Sequence, residues 1–107
     1  MLNQFVIVGK LKELPEFKET SNSIKYAHLT LNVRRNFKNA NNEYEYDDIT
    51  CTLWRGITES CNDLCEIGSN IAIKGRIQTN PYTSEDNITY MNYEFIAEKV
   101  SILDEAK

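Results

Sequence analysis

Residues 25–34 alternate without a break. Ala27, Leu29, Leu31 and Val33 take every second position, and Tyr26, His28, Thr30, Asn32 and Arg34 fill the gaps. A period of two marks a strand with one face on a core and the other in water. The same pattern predicts four more strands. Residues 5–8 are a short β-branched and aromatic run closed by Gly9. Ile49, Cys51 and Leu53 point inward from another strand, with Thr50, Thr52 and Trp54 opposite. Ile71, Ile73 and Ile77 share a face of the next, with Lys74, Arg76 and Gln78 on the other, and residues 88–100 supply the last. Pro15 and the polar residues 20–23 separate the first two strands. Residues 37–42 read as a mobile Asn-rich loop, and residues 80–87 as a turn-rich hairpin tip.

One segment changes period. Ile57, Cys61, Leu64 and Cys65 fall at i, i+4, i+7 and i+8, the stripe of a short amphipathic helix, and Gly68 stands where it would end. The predicted order is β-β-β-α-β-β. That is an all-β OB-fold, a five-stranded, partly open Greek-key barrel with one short helix between its third and fourth strands. Such barrels bind oligonucleotides or oligosaccharides on an exposed sheet face and its loops. Residues 1–103 are expected to form this one domain, with 104–107 a short C-terminal end.

A chain of 107 residues is too short for two domains, and 41% apolar with 26% charged residues is ordinary for a globular protein. No apolar run reaches transmembrane length, and the first residues lack a signal peptide's pattern. Three cysteines without framework spacing point to reduced thiols and a cytoplasmic setting. The net charge of −4 argues weakly against a polyanion partner, but its distribution argues the other way. Residues 20–42 hold Lys25, Arg34, Arg35 and Lys38 and no acid, and the only charges in 67–84 are Lys74 and Arg76. A polyanion responds to the face it touches, within about 10 Å, and not to the total.

The outward aromatic residues carry the most information. Trp54 projects from the wet face of its strand, Phe37 lies among Arg34, Arg35 and Lys38, Tyr82 follows Lys74 and Arg76, and Tyr44 and Tyr46 flank the Asn-rich loop. Rings interleaved with Lys and Arg suit single-stranded nucleic acid, because an unpaired base offers a π-face worth ~1–3 kcal/mol per stack. The competing reading is that these rings cover the barrel end or an oligomer interface.

Catalytic chemistry finds little support. His28, the only histidine, has no nucleophile or metal-ligand partner in any local motif. Cys61 and Cys65 are one helical turn apart, but zinc requires four ligands and no second pair exists, so buried inert thiols are the expectation. No phosphate-binding loop, dinucleotide fingerprint or calcium-loop spacing is present. The chain reads as a non-enzyme without metal or cofactor.

Three stretches together resemble the bacterial and phage single-stranded DNA-binding proteins. Residues 3–11 followed by Leu14-Pro15-Glu16 resemble that family's first strand and loop. Ala27-His28-Leu29-Thr30-Leu31 with Val33 resembles its second strand, and residues 68–79 are similar to its Gly-Ser start leading to Gly-x-Ile/Leu-x-Thr. The resemblance implies stacking positions at Phe37, Trp54 and Tyr82. It also implies an aromatic early in the third strand, where this chain has Asp48, with Tyr46 two residues earlier on the same face. Phosphate contacts are expected from Arg34, Arg35, Lys38, Arg55, Lys74 and Arg76. The implied function is sequence-tolerant protection of single-stranded DNA in replication, recombination or repair. The setting would be a bacterial cytoplasm or nucleoid, or a phage-infected host. A homo-oligomer is implied, a tetramer or a dimer, with residues 5–8 at the seam. The family's Gly/Pro/Gln-rich linker and acidic tip have no counterpart in Asp104-Glu105-Ala106-Lys107, so recruitment of replication enzymes through the C-terminus is not expected. The alternatives are an RNA-binding or primosomal accessory OB domain and an OB-type protein-interaction module.

Overall fold

The computed structural model describes residues 1–54, 56–57 and 66–103. Its strands are β1 (Phe5–Leu11), β2 (Glu16–Glu19), β3 (Lys25–Lys38), β4 (Tyr44–Trp54), β5 (Asn70–Thr83) and β6 (Thr89–Ile102). They hydrogen-bond in the order β1-β5-β6-β4-β3-β2, and β1 returns to pair with β3 at Lys10↔Asn32 and Leu11↔Leu31. That last pairing closes a barrel of five strands, in which β4 and β6 run parallel and the other pairs antiparallel. The architecture is the OB-fold, closed where the sequence pattern predicted it partly open. Gly56 and Ile57 are helical. The rest of the predicted helix, with Cys61, Leu64 and Cys65, lies outside the described residues, as does Arg55.

The alternation places the core as expected. Ala27, Leu29 and Leu31 of β3 meet Cys51 and Leu53 of β4, Ile71 and Ile73 of β5, and Leu11, all essentially without solvent contact. Phe5 closes one end edge-on to Phe95, with ring centroids 5.3 Å apart. Burying one such leucine or isoleucine contributes ~1.5–3 kcal/mol. Burial also pushes the Cys51 thiol up to about 12, since removing water penalises the thiolate. Two glycines permit the closure. A Cβ on Gly75 would stand 1.8 Å from the Ile96 carbonyl oxygen, beside a bulge that leaves Glu98 unpaired in β6. At Gly9, where β1 crosses β3, a Cβ would stand 2.6 Å from the Asn32 oxygen. Just before β1, the Asn3 side-chain amide donates to the Ile77 oxygen and accepts from the Ile77 nitrogen, continuing the sheet by one residue.

Two features depart from the prediction. Residues 16–19 form β2, which takes the edge of β3 that β1 leaves unpaired. The hairpins β3–β4 and β5–β6 also run well past the barrel as arms. The Cα radius of gyration is accordingly 15.9 Å, against ~13 Å for a compact chain of this length. Phe37 and Lys38 therefore belong to β3 and not to a mobile loop, and Tyr82 belongs to β5 and not to a hairpin tip. Ile77 shares the parity of Ile71 and Ile73 but sits on the arm, where it stays partly exposed.

Three hairpins turn by one device. Thr20, Asn39 and Ser84 each donate their backbone N–H to the carbonyl four residues on and accept from the N–H three residues on. Their side-chain oxygens accept from the N–H groups of Ile24, Glu43 and Ile88. The residue before each return, Ser23, Asn42 or Asn87, has φ near +61 to +63°, a left-handed conformation that asparagine tolerates best among residues with a side chain. Among the described residues no helix is long and apolar enough to cross a membrane.

Candidate nucleic-acid interface

Antiparallel pairing of β3 with β4 sets five residue pairs across the face directed away from the core: Tyr26↔Trp54, His28↔Thr52, Thr30↔Thr50, Asn32↔Asp48 and Arg34↔Tyr46, of which Thr52 alone is buried. At the barrel end the Trp54 and Tyr26 rings lie 4.9 Å apart with a 34° tilt, and His28 meets Tyr26 edge-on at 5.6 Å. Trp54 is thus backed by a second ring while remaining 36% exposed. A supported indole with an open face is a preformed stacking platform. At the arm end, the Arg34 guanidinium lies 4.4 Å over the Tyr44 ring and the Lys38 ammonium 5.5 Å from the same centroid, distances at which a ring quadrupole attracts a cation. Tyr46 stands beside them, 56% exposed. A groove of about 400 Å³ runs from Tyr46, Arg34 and Asn32 to Val8, Gly9 and Lys10 of β1.

Between the two ends the face is polar. The hydroxyls of Thr30 and Thr50 share a hydrogen bond of 2.8 Å. Asn32 donates to one oxygen of Asp48 at 3.0 Å, and the Lys12 ammonium holds the other. Those hydrogen bonds hold the Asp48 carboxyl below its ordinary 3.8 and the Lys12 ammonium above its ordinary 10.5.

The predicted site residues fall into three groups. Trp54, Tyr46, Arg34 and Lys38 share the β3–β4 face, and Phe37, 67% exposed, lies next to Lys38 near the end of β3. Lys74 and Arg76 share a face of β5 with Tyr82 by alternation, and Tyr82 pairs with Tyr90 across the second arm. Arg76 lies 3.9 Å from Glu98 in an exposed pair. Arg35 stands apart. It lies on the opposite face from Arg34, donating to both oxygens of Asp47 at 3.0 and 2.9 Å and to Glu45 at 2.6 Å. Tyr26, His28, Lys12 and Tyr90 were not singled out from the sequence as parts of a site. Tyr26, Lys12 and Tyr90 become visible only through register, because each acquires its neighbour from a different strand or loop, and His28 through its contact with Tyr26 on the same strand.

The sequence profile of the Single-strand binding protein family matches residues 2–103. The chain belongs to that family. It is 40% identical over 104 residues to single-stranded DNA-binding protein B of Bacillus subtilis (strain 168), covering 97% of this chain and 92% of that one. It is 36% identical to single-stranded DNA-binding protein 1 of Streptococcus pyogenes serotype M18, covering 97% and 80% of the two chains. A third relative, the single-stranded DNA-binding protein of Halalkalibacterium halodurans, is 38% identical, with 97% of this chain and 62% of that one covered. Family membership, and not the lack of a catalytic motif, places the chain among binding proteins and outside the enzymes. The profile spans every element described above, so the β3–β4 face lies on the family's own domain.

Proposed function

We propose that this protein binds single-stranded DNA with broad sequence tolerance and shields it during replication, recombination and repair. The observation that carries this reading is the β3–β4 face. It offers an indole backed by Tyr26 at one end and two cations around Tyr44 at the other, on an OB barrel. Bases stack on Trp54 and Tyr46, with Phe37 and Tyr82 on the arms as further rings. Arg34 and Lys38, with Lys74 and Arg76 across the barrel, neutralise phosphates. Trp54 is the only tryptophan, so its emission reports the contact directly. Stoichiometric quenching by oligothymidine, with little response to duplex, supports the reading. Unchanged emission under proven binding removes Trp54 from the contact.

The protein works as a homo-oligomer, a tetramer or a dimer, in the cytoplasm or nucleoid. Val6 and Val8 support this: they are 62% and 51% exposed on the outward side of β1, an apolar row that a second copy would cover. Light scattering at micromolar concentration tests it, and a monomeric mass overturns it.

A further inference from the structure

We infer that Asp48 and Asn32 form a base-reading notch in the middle of this face, favouring guanine over thymine at one position of the bound strand. The inference rests on the reading that the strand lies along β3–β4. Stacking accepts every base, so discrimination there has to come from directional polar groups. Thr30 and Thr50 satisfy each other. The neighbouring pair does not close on itself. An ionised carboxylate accepts only, at about four lone-pair positions. Lys12 and Asn32 engage one oxygen each, so both oxygens keep accepting capacity, and the Asp48 side chain is 43% exposed. Lys12 also offsets the carboxylate's charge, which lowers the repulsion that a passing phosphate would feel.

Placement completes the site. Tyr46 and Asp48 are two residues apart on one side of β4, ~7 Å along the strand. A base stacked on Tyr46 therefore presents its edge toward Asp48, beside the groove that Tyr46 and Asn32 help to line. The pairing edge of an unstacked guanine carries N1–H and the 2-amino group side by side, two donors matched to two carboxylate oxygens. Thymine offers one N–H between two carbonyl oxygens, and those oxygens face the carboxylate unfavourably. Inosine, which lacks the 2-amino group, should fall between.

The test uses the full chain and oligothymidine of fixed length, with its central base replaced by guanine or inosine, read by Trp54 quenching. The guanine oligonucleotide should bind about fivefold to tenfold more tightly than oligothymidine, with inosine intermediate. Asp48→Ala should abolish the preference while still binding oligothymidine. Asp48→Asn, which keeps the shape and the capacity for hydrogen bonding, should narrow it. Equal affinities in the unaltered protein, or a preference that survives both substitutions, overturn the notch and leave the general reading standing. Failure to bind any of the oligonucleotides overturns both.

Discussion

The two ends of the β3–β4 face are built from the same strands and differ in what holds them. At the barrel end, Tyr26 and Trp54 stand on the reverse side of residues that fill the core, so their positions follow from Ala27 and Leu53, which are fully buried. At the arm end no core lies beneath. There Arg35 bridges Asp47 and Glu45, Asn39 organises the turn, and Arg34 and Lys38 lie over Tyr44. One end is fixed by burial and the other by charge. The barrel end should therefore contribute binding that ignores salt, and the arm end binding that salt erodes.

Trp54→Ala gives the largest effect, a loss of ~1–3 kcal/mol in affinity for one unstacked base. Its salt dependence should match that of the unaltered protein, and a titration at several ionic strengths separates the two properties. For about four phosphates neutralised, log K should fall with log salt at a slope of ~−3, and replacing both Arg34 and Lys38 by glutamine should make it shallower by ~1.4. Arg35→Gln is the sharper control. Its guanidinium is already engaged, so the slope should hold while the arm loses protection from hydrogen exchange. A slope that flattens as much for Arg35 as for Arg34 would erase the distinction between the two faces of the arm.

Titration gives a third test. Hydrogen bonds from Arg35 and Lys12 hold Asp47 and Asp48 below their ordinary 3.8. Their contribution to stability is whole above about pH 4 and is lost as the pH falls through the depressed folded values. Lys12, raised above 10.5 by Asp48, contributes below that point and loses its contribution as the pH rises through the raised value. Melting temperatures should therefore fall at both extremes on account of these groups. Asp48→Asn should soften both limbs, whereas Asp47→Asn should soften only the acid limb. The smallest effect belongs to the barrel-end turn. Ser23→Asn would give that turn the residue its two counterparts already have and should raise stability by a fraction of the ~1–2 kcal/mol that a left-handed residue costs. A denaturant melt resolves this if the midpoint shifts at constant slope.

The same contrast explains what could be read from sequence. Ala27 to Val33 and Ile49 to Leu53 alternate because a core lies on one side, and alternation is visible without knowing the partner strand. Past Val33 both faces of the arm are wet, so the residues after Arg34 show no hydrophobic period, and Phe37 and Lys38 read as loop. What makes them strand is the pairing of Arg34 with Tyr46 and Lys38 with Tyr44, and the bridges from Arg35 to Glu45 and Asp47, which only register reveals. β2 escaped for the same reason, since all four of its residues are exposed. Trp54 stands out in the sequence because an indole on a wet face is unexpected. Tyr26 does not, because a tyrosine there is ordinary until Trp54 is placed against it.

The buried thiol of Cys51 gives the barrel a clock. Burial pushes its pKa up to about 12, which disfavours the thiolate near neutral pH, and the thiolate is the form that alkylating reagents attack. Cys51 also has no solvent contact in the closed barrel, so it reacts only in molecules that have opened. In a variant whose Cys61 and Cys65 are serine, the alkylation rate therefore counts openings of the core. A ligand confined to the closed form should slow that rate by the factor one plus its concentration over Kd. Binding on the outer face would then be timed by an atom on the inner one, with no dye attached.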